Sequence, residues 1–86
     1  MTYSDIMGKV NMLSKKTNAE LPAAIRELSD IFMQYALTPK QARELMNQID
    51  KVCPPDTESG RICNRTFIET GVGESMEMLM TMPDDI

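Results

Sequence analysis

The side chains of this sequence that could do chemistry are carboxylates, two cysteines and a run of methionines, because histidine is absent. That absence removes the commonest general base and the commonest metal ligand together, so Ser-His and Cys-His nucleophilic systems are excluded. Glu27 with Asp30, and Glu74 with Glu77, are carboxylates at helical spacing. Solvated helix faces explain them more simply than acid/base work. The stretch from Asp56 to Gly60 opens like a calcium loop, but Arg61 stands where the turn needs glycine and Phe67 where a bidentate glutamate belongs. Gly71, Val72 and Gly73 could form an anion nest ahead of a helix, yet Glu74 and its acidic surroundings oppose phosphate. The chain therefore reads as non-catalytic, with no cofactor and no metal site expected.

Cys53 and Cys63 flank a short polar stretch. Without a signal peptide they are expected to be reduced thiols acting as small hydrophobes; oxidised, they would clip that stretch closed. Met76, Met78, Met80 and Met82 alternate with Glu77, Leu79 and Thr81, placing four of the nine methionines in seven residues. Soft thioethers can hold Cu(I), but adaptive packing is their commoner task and no histidine assists a metal here.

The elements that must position these groups read as helices. With 86 residues, 42% of them hydrophobic and 26% charged, the chain has room for one globular domain. A first helix is predicted over residues 4–16, capped by Thr2 or Ser4, with Ile6, Met7, Val10 and Leu13 on one face. A second spans 19–36: Thr17 and Glu20 form a capping box, and Leu21, Ile25, Leu28, Phe32 and Tyr35 make a continuous apolar stripe. A third spans 39–53, opened by Thr38, Pro39 and Gln41 and stopped by Pro54-Pro55. Residues 54–61 read as a loop. Beyond it the pattern predicts one or two short helices, with Gly71 as a left-handed cap and Ser75 opening the last. The fold class is all-α, a small bundle of three main helices plus those short ones.

Charge divides along the chain. Residues 1–65 hold nine bases against eight acids, and residues 66–86 hold five acids and no base. No segment approaches the length of a membrane span, so a soluble cytoplasmic protein is expected. The function that follows is binding to a protein partner, as an inhibitor, adaptor or antitoxin-like regulator, through Glu74, Met76, Glu77, Met78, Leu79, Met80 and Met82. A homo-oligomer, most simply a homodimer, is expected to form through Leu21, Ile25, Leu28, Phe32 and Tyr35. The rival reading is a helix-turn-helix DNA-binding regulator using Lys40, Gln41, Arg43 and Asn47, residue types that reach phosphates and base edges. The net charge of −4 speaks against nucleic acid.

Overall fold

Thr2 accepts from the Asp5 amide at 3.2 Å while Asp5 accepts from the Thr2 amide at 2.9 Å, and this reciprocal box starts α1, Tyr3–Asn11. The computed structural model describes residues 1–83; Asp84, Asp85 and Ile86, the end of the predicted acidic segment, lie outside the described residues. A 3-10 turn, Met12–Lys15, follows α1. Thr17 and Glu20 then close a second box at 3.3 and 2.9 Å, and α2 runs over Leu21–Gln34. Thr38 and Gln41 close a third, opening α3, Pro39–Val52.

The predicted loop is shorter than the sequence pattern implied. Thr57 caps the Gly60 amide at 3.1 Å, and α4 occupies Glu58–Thr70, nearly as long as α2 and α3. Residues 58–61, assigned to a loop, are therefore helical, and α4 is not short. Gly71 ends α4 at φ +80, where a side chain would be strained, and the same residue begins α5, Val72–Thr81. Ser75 is thus inside a helix and caps nothing at its start.

Burial follows from how these helices pair. The stripe of α2 lies against α4, with the rings of Phe32 and Phe67 stacked at 6.2 Å between centroids. Ser29 reaches Thr70 at 3.2 Å beside that stack and also donates to the Ile25 carbonyl, so its buried hydroxyl is satisfied. On the other side α1 packs on α3, tied by the Tyr3 hydroxyl donating to Glu44 Oε1 at 3.0 Å. Helix α5 packs on both α3 and α4, and its Val72 and Met76 complete the core.

Two glycines make opposite predictions. A Cβ at Gly8 would meet no atom within 4 Å, so Gly8→Ala should stabilise the fold by about 0.5–1 kcal/mol through helix propensity. A Cβ at Gly60 would collide with the Pro54 carbonyl oxygen, so Gly60→Ala should cost roughly 1–3 kcal/mol of overpacking. Urea unfolding of the two variants checks the signs. The Tyr3 phenol supplies a pH test: burial first, then the hydrogen bond to Glu44 and its negative charge, push its pKa from 10.0 to about 12. The folded state favours the neutral phenol. Its contribution is therefore complete below pH 10.0 and is lost as pH climbs through about 12. Tyr3→Phe should flatten that part of the alkaline stability curve.

Candidate functional site

Because α4 is committed to α2, and α3 to α1, these two helices make little direct contact, and among the described elements α5 is the one that packs on both. The gap between α3 and α4 is a cleft of about 500 Å³. Helix α3 supplies Met46 and Asp50, four residues apart and so on one face. Helix α4 supplies Asn64, Phe67 and Ile68 at the same kind of spacing. From α5 come Glu74, Glu77 and Met80, with Gly73 beside them. Gly73 lets α5 lie close, since a Cβ there would already stand 3.4 Å from the Phe67 Cβ.

The cleft has an apolar floor and an acidic rim. Met46, Phe67, Ile68 and Met80 supply carbon and sulfur surface, whereas among the described residues Asp50, Glu74 and Glu77 supply three carboxylates and no lysine or arginine lines it. Ile68 is 68% exposed, a large aliphatic side chain left in water beside that floor. A second cleft of about 210 Å³ shares Met46, Asp50, Asn64 and Phe67 with the first, so the two form one trough running from α5 to the α3–α4 link. Cys53 and Cys63 line its far end, both buried and both free thiols, with Arg61 beside them. Burial first, and then hydrogen bonding to and the charge of neighbouring Cys53, push the Cys63 thiol up to about 12.

The structure divides the residues predicted to bind a partner. Glu74, Glu77 and Met80 line the cleft. Met76 is a core residue at 3% exposure, and Leu79 packs partly buried against the core. Met78 and Met82 are exposed but lie off the cleft. Residues 72–81 are therefore a wall of the fold, and removing them would strip Val72 and Met76 from the core.

The stripe predicted as an oligomer face packs inside the chain. Leu21, Ile25, Leu28 and Phe32 are all buried within the chain, and Tyr35 is half-buried against the same core, because α4 covers the stripe. Of the candidate DNA contacts, Lys40 and Asn47 are exposed and Gln41 is engaged in the α3 capping box. Arg43 reaches across to α5, donating to the Met80 and Met82 carbonyls at 3.1 and 3.4 Å.

Sequence patterning missed Met46, Asp50, Asn64, Phe67 and Ile68 as site residues, because they come from helices whose apolar faces look complete alone. Ile68 carried a usable signal: it stands off the α4 stripe of Ile62, Cys63, Thr66 and Phe67. Among the described residues no cluster of three or more cysteine, aspartate or glutamate side chains is placed to hold a metal ion, and no helix is long and apolar enough to cross a membrane. No family model, curated protein or solved structure matches the chain.

Arg43 supplies the cation that the end of α5 lacks, where the helix dipole is negative and carbonyls have no partner within the helix. Arg43→Ala should cost about 1–2 kcal/mol and speed amide exchange selectively over Val72–Thr81. Exchange over α5 as slow as in the parent would show that Arg43 does not hold this helix.

Proposed function

We propose that the protein is a non-catalytic regulator that captures a basic, amphipathic segment of a protein partner in the α3–α4–α5 cleft, acting as an inhibitor, adaptor or antitoxin-like binder. The observation that carries this reading is the unmatched rim: among the described residues, three carboxylates and no cation around the apolar floor of a cleft of about 500 Å³. An occupant with apolar side chains on one face and lysine or arginine on the other satisfies both parts, as when an amphipathic helix lies in a groove. The acids steer and orient such a segment, and burial against Met46, Phe67, Ile68 and Met80 contributes most of the affinity. Met46 and Met80 can change rotamer to fit different apolar anchors, which suits a surface that adapts to its occupant.

The test uses synthetic helical peptides and the full chain. A leucine-lysine amphipathic peptide should bind, with affinity falling as salt rises and the methyl resonances of Met46 and Met80 shifting while that of Met33, exposed on α2, stays in place. Glu74→Gln with Glu77→Gln should weaken this binding roughly three- to tenfold at low salt, since both acids are exposed. The reading fails if a serine-lysine peptide of equal charge binds as tightly, if the double variant binds unchanged, or if a short DNA duplex binds better than the peptide.

A further inference from the structure

Cys53 and Cys63 come together because Pro54-Pro55 turn the chain sharply after α3 and Gly60 lets α4 start against the Pro54 carbonyl. Cys53 is the residue that ends α3, its amide donating to the Ile49 carbonyl, and Cys63 lies in the first half of α4. Their thiols are neighbours, both line the cleft of about 210 Å³, and each is 2–3% exposed. No other part of the proposed binding surface uses them.

We propose that this pair is an oxidation site for hydrogen peroxide, closing into an intramolecular Cys53–Cys63 disulfide across the α3–α4 link. Two features favour so small an oxidant. The cleft has space for a few water-sized molecules, and the sulfurs sit too deep for a bulky disulfide such as oxidised glutathione. The Cys53 sulfur attacks one peroxide oxygen, the O–O bond breaks, and the departing hydroxide takes the thiol proton and leaves as water, giving a sulfenic acid. Cys63 then attacks the Cys53 sulfur. The S–O bond breaks, the S–S bond forms, and the hydroxide takes the Cys63 proton as a second water. Two thiols are oxidised and one peroxide is reduced to two waters.

Arg61 makes the test direct, because trypsin cuts between the two cysteines. The folded chain is treated with peroxide, quenched in acid with excess maleimide, and digested without reductant. Expected is a chain lighter by two hydrogen atoms, yielding the peptide of residues 52–61 joined to that of residues 62–65, both released by reductant. Oxidised glutathione at equal oxidising equivalents should give this product more slowly. Cys53→Ser and Cys63→Ser should each fail to give it. The proposal is overturned if peroxide leaves the two peptides unlinked, adds oxygen to the thiols without bridging them, or links only separate chains. Faster bridging by oxidised glutathione than by peroxide would overturn the assignment of the oxidant.

Discussion

The packing of Phe67 constrains where every later element can go. Its ring stacks on Phe32 at 6.2 Å and nearly parallel, a contact worth about 0.5–1.5 kcal/mol beyond the area it buries. In that stack α4 lies on α2, while α3 is held by α1 and makes little direct contact with α4. The space left between α3 and α4 runs from α5 to the α3–α4 link. Phe67 is almost fully buried, yet it floors both parts of the trough. The core and the cleft are therefore two sides of one aromatic residue, and neither could be rearranged without the other.

Where the fold was legible in the sequence, a local hydrogen bond made it so. The box at Thr38 places a glutamine three residues after the threonine and opens α3 as that spacing implies. The same bonds form between Thr17 and Glu20, but they close a turn ahead of α2, which begins only at Leu21 with Glu20 as its cap. Gly71 is the left-handed cap that its position suggested. Thr57 gave no such signal, since the residue three positions on is Gly60, which has no side chain to close a box. The start of α4 was therefore hidden in a stretch rich in proline and polar residues. Ser75 misled for the opposite reason: it is a good capping residue, but Gly71 ends one helix and starts the next with no intervening loop.

The stripe on α2 shows why tertiary placement was harder to read than helicity. Leu21, Ile25, Leu28 and Phe32 signal that a partner surface must exist, but periodicity carries nothing about whether it belongs to the same chain. The partner is α4, whose own stripe is interrupted by Thr66, a residue that hides its hydroxyl by donating to the Ile62 carbonyl at 2.8 Å. A threonine satisfied in this way is compatible with burial, whereas its type alone argues for solvent. The same limit applies to the site. Glu74, Glu77 and Met80 stood out by composition, while Asp50 and Asn64 looked like ordinary polar positions until α3 and α4 were seen to face one gap.

Charge separation along the chain becomes separation in space through the way α5 is anchored. With no base of its own, this helix takes its terminal cation from Arg43 on α3, and its first turn begins at the cap of α4. Lys9 and Arg26 are drawn into ion pairs with Glu27 and Glu69, away from the cleft. Among the described residues none of the rim carboxylates Asp50, Glu74 and Glu77 is ion-paired. Like charges facing one gap raise the energy of the isolated fold, by an amount that solvent keeps small at exposed positions. A cationic occupant relieves that repulsion without displacing any internal ion pair, so its charges add to the apolar contacts below them and do not compete with the fold.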